Sequence, residues 1–461
     1  MIDDSTACEL LGILSASDAR FFEIFAEHSV RTEGLLDSQK IGNMCIGLDA
    51  GVGLRLIKGQ RTAYAYINSF DRHLLRNCAK QLADAFKGKK PYRDFNLNYS
   101  SADIDRSNTK ALHRENDVDN ISNVLHSLDR AARSSSGLIK QVTARYAGVE
   151  QQIFIANSDG VAVEDVRTRS RHDINVIAQI SGNTQTGYES AAATVDRGHL
   201  RQTNLSNLAR TAARRAVDML SAKPAPAGKM MVVLSGKAGG TMIHEACGHG
   251  LEADFIHRGV SCFADRLNQQ VASPLITVVD DGSLAHRYGF MNVDDEGTKT
   301  RKNVLIAGGI LKTFMTDRLH ASLLDIPLTG NARRESYRNK PVPRMTNTYI
   351  GPGHSKLADI ITSVEQGLLV VKIEGGQVNP VNGDFVFKIT EGYLLKKGRI
   401  QEAVRGAILS GNGPEVLRTI DMVANDLSFM PGLCGKEDEV PVGHGQPTIR
   451  IPDLLVGGQS S

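Results

Sequence analysis

Lys223-Pro224-Ala225-Pro226-Ala227-Gly228 divides the chain. Proline fixes φ and removes a backbone donor, so neither helix nor sheet runs easily through this stretch. Upstream, Leu205 to Ser221 reads as an amphipathic helix: Leu208, Ala212, Ala216 and Leu220 recur at near-helical spacing, with Arg210, Arg214 and Arg215 elsewhere on its surface. Downstream, Met230-Met231-Val232-Val233-Leu234 reads as a buried strand. The expectation is an N-terminal α+β domain over residues 1–222 and a second, strand-rich domain over 229–461, joined by a linker at 223–228.

The N-terminal part mixes helical and strand periods. Asp18 to His28, Asp71 to Phe86 (Asp71 as N-cap) and Glu115 to Ser134 are expected helices; the last carries Val118, Ile121, Val124, Leu125 and Leu128 on one face. Lys40 to Leu48, Val52 to Lys58 and Thr62 to Ile67 read as strands, with Lys58-Gly59-Gln60 turning a hairpin. A further hairpin is expected between Leu138–Arg145 and Gln151–Ala156, ending at the turn Asn157-Ser158-Asp159-Gly160. Beyond the linker, Lys302–Leu305, Ile310–Phe314, Leu368–Ile373, Phe385–Leu395 and Val404–Leu409 read as strands. Helices and hairpins segregate instead of alternating as βαβ units, which predicts α+β architecture with antiparallel sheets.

Composition bounds the function. At 461 residues the chain has room for two or three cores, and 41% apolar with 23% charged residues is ordinary for a soluble protein. A net charge of +3 is too small to make nucleic acid or an anionic membrane the main partner. No apolar run approaches a membrane span. The start Met1-Ile2-Asp3-Asp4-Ser5 is acidic and unlike a secretory signal, and six scattered cysteines without a C-x-x-C pair fit free thiols in a cytoplasmic protein.

The chemistry gathers at His244-Glu245-Ala246-Cys247-Gly248-His249. Two imidazoles beside a carboxylate are what a catalytic zinc site needs: metal ligands, and a base for water. The spacing is H-E-x-x-x-H, one residue longer than the usual zincin pattern. On an ideal helix, residues four apart lie about 40° apart, but residues five apart diverge by about 140°. Both histidines reach one ion only if the helix widens or breaks, and a π-type turn would suffice. Gly248 would lend backbone freedom there. Cys247 points away from that face, as a packing residue would. Glu245 is the candidate general base. Glu252 either orients a histidine or is a surface carboxylate.

The stretch from His244 through Asp254 to Phe255 closely resembles the metal motif of the TldD/PmbA family of metalloproteases. Other blocks match in order: Val278-Val279-Asp280-Asp281-Gly282, Asp294-Asp295-Glu296-Gly297-Thr298, Arg333-Arg334-Glu335-Ser336-Tyr337, Pro343 to Tyr349, Gly375-Gly376-Gln377-Val378 and Cys434-Gly435-Lys436. The likeness is dense from Val233 to Gly458 and looser before, with Asp49 to Arg55 and Asn157 to Gly160 the best matches. PmbA-type members lack the histidine pair, so the chain is identified as a metal-bearing, TldD-type member. The resemblance implies one zinc per chain held by His244, His249 and Cys434, with thiolate and imidazole suiting zinc. It implies hydrolysis of unfolded or short peptides. It also implies a two-subunit assembly, with a PmbA-type partner or a second copy of this chain.

Rival readings are a non-catalytic regulator of DNA gyrase and a zinc amidase acting on a non-peptide substrate. A peptidase also needs a donor for the oxyanion; Arg333, Arg334, Tyr337 and Arg344 are candidates, the alternative being that they brace loops by ion pairing. Asp280-Asp281-Gly282 and Asp294-Asp295-Glu296-Gly297 lack EF-hand spacing and read as turns. Gly236-Lys237-Ala238-Gly239-Gly240-Thr241 is not a phosphate loop and reads as the entry to the histidine helix.

Overall fold

Phe21, Phe22, Ile24, Phe25 and Ala26 are all buried, yet the helix expected over Asp18–His28 is absent. In the computed structural model, which describes residues 1–86, 93–99, 118–194 and 204–458, they open a long strand, β1 (Phe21–Asp37). A strand covered on both faces loses its alternation and reads as an unbroken apolar run, which periodicity cannot tell from a helix. Phe22, Ile24 and Ala26 pack under helices α1 (Asp4–Ser15) and α2 (Arg72–Asp84). Phe25 faces the other way, against Ile153, Ile155 and Tyr337.

The first sheet joins β1 to β2 (Lys40–Lys58), β3 (Arg61–Ile67), β4 (Ile139–Asn157), β5 (Val161–Ile180) and β6 (Asn183–Thr194) in antiparallel order β3-β2-β1-β4-β5-β6. Two expected strands fuse into β2. The hairpin expected between Leu138–Arg145 and Gln151–Ala156 is instead one continuous strand, β4. Its Gly148 makes no turn; it leaves room for the Tyr146 hydroxyl, which would lie 2.5 Å from a Cβ there. The turns at Gly59 (φ 58°) and Gly160 (φ 82°) are where glycine supplies positive φ. Helices α3 (Val118–Arg133) and α4 (Leu205–Leu220) cover the far end of the same sheet face. The expected helix start at Glu115 lies outside the described residues.

The C-terminal half is strand-rich. β7 (Gly228–Leu234) runs between β11 (Gln366–Val378) and β17 (Ile449–Gly457). Strand β17 pairs with β14 (Ile408–Asn412), and β14 with β12 (Asp384–Lys396). Since β12 also pairs with β11, the ring of five strands closes. The strand expected over Val404–Leu409 is split into β13 (Arg399–Arg405) and β14, because Gly406 turns at φ 70°. Lys223 and Pro224 pair in parallel with Val404 and Arg405, so the proline stretch lies on a sheet edge, where a missing donor costs nothing.

A second sheet contains β8 (Val278–Asp281), β9 (Lys302–Ala307), β10 (Asn347–Ile350), β15 (Ser428–Gly435) and β16 (Glu439–Gln446), with Ile310–Leu311 as a short edge. Among the described residues no helix is long and apolar enough to cross a membrane.

Candidate metal centre

Strand β7, buried over Val232–Leu234, delivers the chain into a 3-10 turn, Gly236–Ala238, and so to the histidine segment, the entry that the sequence suggests. Gly239 and Gly240 then take left-handed φ of 87° and 71°. A Cβ on Gly240 would lie 2.5 Å from the backbone nitrogen of Gly445 in β16. The histidine segment therefore starts in backbone-to-backbone contact with the neighbour of the strand that carries Cys434.

One α-helical turn, Thr241–Ile243, gives way to a π-turn over His244–Gly248, and a 3-10 turn follows over His249–Leu251. The amide of His249 donates to the carbonyl of His244, five residues back. This widening absorbs the extra residue, and the two imidazole rings meet with centroids 5.0 Å apart. Gly248 contributes differently from the expectation. Its backbone is ordinary right-handed helix (φ −54°, ψ −56°), so no special freedom is used. A Cβ there would lie 2.1 Å from Sδ of buried Met345; the glycine lets the π-turn sit on that side chain. Cys247 is fully buried in the apolar core, and burial pushes its thiol up.

Cys434 comes in from β15, the terminal strand of its sheet, and its Sγ lies 3.5 Å from His249 Nε2. Donor atoms of His244, His249 and Cys434 all fall within 4.8 Å of one another. Burial raises the Cys434 thiol, but the two imidazoles outweigh it and bring it down to about 5. His244 Nδ1 is buried without a hydrogen-bond partner among the described residues.

A cavity of about 520 Å³ opens onto these groups, with Glu245, Phe255, Gly376, Gln377, Leu433 and Lys436 also on its walls. Burial raises the Glu245 carboxyl, partly offset by His244 and His249. Glu252 is fully buried, not a surface carboxylate. It accepts from His249 Nδ1 at 3.1 Å and from Lys436 Nζ at 3.0 Å. Burial opposes its ionisation, yet Lys436 and His249 pull it down to about 2. Attraction to Glu252 likewise raises His249 well above the usual imidazole value, against its burial.

The four proposed oxyanion donors separate, and none lines the cavity. Arg344 is closest: it donates to the Cys434 carbonyl and to Asp438 from behind the thiolate. Arg333 donates to the Met345 carbonyl at 2.6 Å. Arg334 reaches across to Glu23 of β1 at 2.6 Å, and the Tyr337 hydroxyl donates to Asp49 at 3.1 Å. The last two brace the first sheet against the C-terminal half.

Both acidic-glycine blocks are internal. Asp280 accepts from Asn331, Thr346 and Thr348, while Asp294 caps the turn ahead of Thr298. The only cluster with metal-ligand geometry among the described residues is His244, His249 and Cys434. Sequence reasoning missed Lys436, Asp254 and Asp438. It also missed His444, whose ring lies 5.5 Å from that of His244. Lys436 and Asp254 carried a signal, in the Cys434-Gly435-Lys436 block and at the end of the histidine motif; Asp438 and His444 carried none.

A metal-site enzyme of the peptidase class is what this strand-rich half and its His/His/Cys pocket resemble. Three family profiles match in order: PmbA/TldA metallopeptidase domain 1 over residues 22–86, the central domain over 113–220 and the C-terminal domain over 227–458. The chain belongs to the PmbA/TldD family of metallopeptidases. It is 36% identical to a metalloprotease TldD homolog of Haemophilus influenzae, over 99% of this chain and 97% of that one. A zinc metalloprotease TldD homolog of Saccharolobus solfataricus is 32% identical over 68% of each chain. In fold it is similar to TldE from Thermococcus kodakarensis, with a TM-score of 0.74 at 18% identity, over 95% of this chain and 97% of that one. A Thermotoga maritima protein described as a candidate modulator of a DNA gyrase has a TM-score of 0.77 at 19% identity, over 95% and 96%.

Proposed function

We propose that this chain is a zinc-dependent peptidase that hydrolyses bonds in unfolded or short peptides. The observation that carries this reading is the convergence of His244, His249 and Cys434 on one wall of a cavity that Glu245 also lines. The donor set fits zinc. With Zn–N near 2.0 Å and Zn–S near 2.3 Å, a tetrahedral ion sets its sulfur and nitrogen ligands about 3.5 Å apart; Cys434 Sγ and His249 Nε2 stand at 3.5 Å. A bound zinc would supply a Lewis acid that polarises the scissile carbonyl and acidifies water.

Glu245 takes the proton of the attacking water and returns it to the leaving nitrogen. A carboxyl raised by burial is suited to both steps. Glu252 fixes the His249 ring through Nδ1, which leaves Nε2 for the metal. Beyond Val370 the edge of β11 that β7 occupies has no strand on it among the described residues, and Gly376, Gln377 and Val378 line the cavity. An extended peptide adding there would be held by its main chain, with little side-chain preference.

We further assign the chain to the cytoplasm, with a PmbA-type partner or a second copy completing the assembly and neither nucleic acid nor membrane as a partner. All six cysteines being free thiols accords with a reducing compartment. The boundary between its two domains falls at residues 223–228.

The test is digestion of an unfolded peptide library with and without chelator, and with and without a PmbA-type chain. Chelator-sensitive cleavage is expected, together with one zinc per chain that Cys434→Ser largely loses, a hydroxyl being a poor replacement for thiolate. Stoichiometric zinc without peptide cleavage would favour an amidase. No zinc and no cleavage would favour a gyrase-modulator-like regulator.

A further inference from the structure

Lys436 is an ammonium group buried beside the cavity, with its side chain 8% exposed. It donates to Glu252 Oε2 at 3.0 Å and to Asp254 Oδ1 at 2.7 Å, and stands 4.3 Å from the centre of the Phe255 ring. The same Glu252 oxygen accepts from His249 Nδ1 at 3.1 Å. Two residues before Lys436 is Cys434, whose Sγ is 3.5 Å from Nε2 of that same histidine. These contacts close a loop: His249, Glu252, Lys436, the Gly435 backbone, Cys434, and back to His249.

The loop joins two distant pieces of chain. His249 and Glu252 leave the π-turn, whereas Cys434 and Lys436 lie at the end of an edge strand that, among the described residues, pairs only with β16. From the other side Arg344 holds the Cys434 carbonyl and Asp438. Glu252 Oε1 and Arg344 Nε face each other at 4.0 Å, each without a hydrogen-bond partner among the described residues. Lys436 Nζ, at 3.0 Å, is closer to the fully buried Glu252 carboxyl than the Arg344 guanidinium is.

We propose that Lys436 is a positioning residue which latches the Cys434 strand to the His249 turn through Glu252, and so sets the affinity of the site for zinc without ligating it. This rests on the ligand assignment above. Groups that orient a ligand change metal affinity by roughly 10–100-fold when lost. Lys436 acts on both ligands at once: it fixes the carboxylate that orients His249, and it anchors the strand end that carries the thiolate.

The experiment has two arms on the full-length chain. Zinc affinity is measured by competition with a chromophoric chelator for wild type, Lys436→Met, Lys436→Arg, Glu252→Gln and the Lys436→Met/Glu252→Gln double variant. Lys436→Met is expected to weaken binding roughly 10–100-fold, Lys436→Arg to recover most of it, and the double variant to be no weaker than Glu252→Gln alone. In the second arm, amide hydrogen exchange is followed over residues 433–437 in chelator-stripped protein. Lys436→Met is expected to speed exchange there while leaving the core of the first sheet protected, which separates loss of the latch from unfolding. Unchanged zinc affinity in Lys436→Met, or additive losses in the double variant, would overturn the latch. Should wild type bind no zinc, the peptidase reading fails; the exchange arm then decides alone, and unchanged exchange at 433–437 overturns the latch.

Discussion

Two buried polar regions of this protein look alike as lists of residues and differ in what they leave open. At the junction between the first sheet and the C-terminal loops, Arg55 lies between Glu23 and Glu296, Arg334 reaches Glu23, and Arg167 spans Asp165 and Asp295. Every one of these guanidinium groups meets a carboxylate. At the cavity, two imidazoles and a thiol converge instead. Charge turned on itself holds the two halves together; at the cavity the donor atoms converge on open space.

Four substitutions test that contrast, from the largest expected effect downward. Glu245→Gln should retain zinc and fold while losing roughly 100- to 10,000-fold in turnover, the range for a general base. Near-normal turnover in the metal-loaded variant would move the base elsewhere. Arg55→Met should do the reverse. It leaves buried Glu23 and Glu296 short of a cation and should cost about 3–5 kcal/mol in denaturant unfolding, with zinc per folded chain unchanged. If the cost were under about 1 kcal/mol, the junction would be as weak as an exposed ion pair.

Gly248→Val lies between the two regimes. Its new side chain meets Met345 Sδ, and overpacking of this kind costs about 1–3 kcal/mol. Because the clash bears on the π-turn, zinc affinity should fall by more than stability does; equal losses would make Gly248 a packing residue only. Smallest is Asp71→Ala. Asp71 caps α2, accepting from the Leu74 amide at 2.9 Å, and its loss should lower stability by about 1 kcal/mol with zinc untouched. A change in zinc affinity there would show that the halves communicate.

The legible parts of the chain were those where local geometry settles the matter. The H-E-x-x-x-H spacing implies a widened turn by angle alone, and the turn is there. Alternating or one-sided apolar patterns placed α2, α4 and, in the C-terminal half, β7, β9, β11 and β12, but not β8, β10 or the three strands from β15 to β17. Illegible were features decided by distant contacts. Phe21 to Ala26 lost their alternation because a second layer covers the sheet, and Gly148 is in place for a tyrosine hydroxyl and makes no turn. Arg333, Arg334, Tyr337 and Arg344 are alike as donors, and only their packing separates Arg344, behind the thiolate, from the residues that brace the first sheet. Glu252 became interpretable only once Lys436 was seen beside it.

The close approach of Gly240 to Gly445 has a thermodynamic consequence. At Gly240 and Gly445 the segment that presents both imidazoles meets the strand next to Cys434 main chain to main chain, where no side chain can rotate away. The approach of the His244–His249 segment to the sheet that carries Cys434 is thus fixed in part by the folded backbone. Small zinc domains fold around their metal and fall apart without it. If the proposed zinc binds here, much of the ordering entropy has already been spent in folding the chain, and more of its binding free energy would go into affinity.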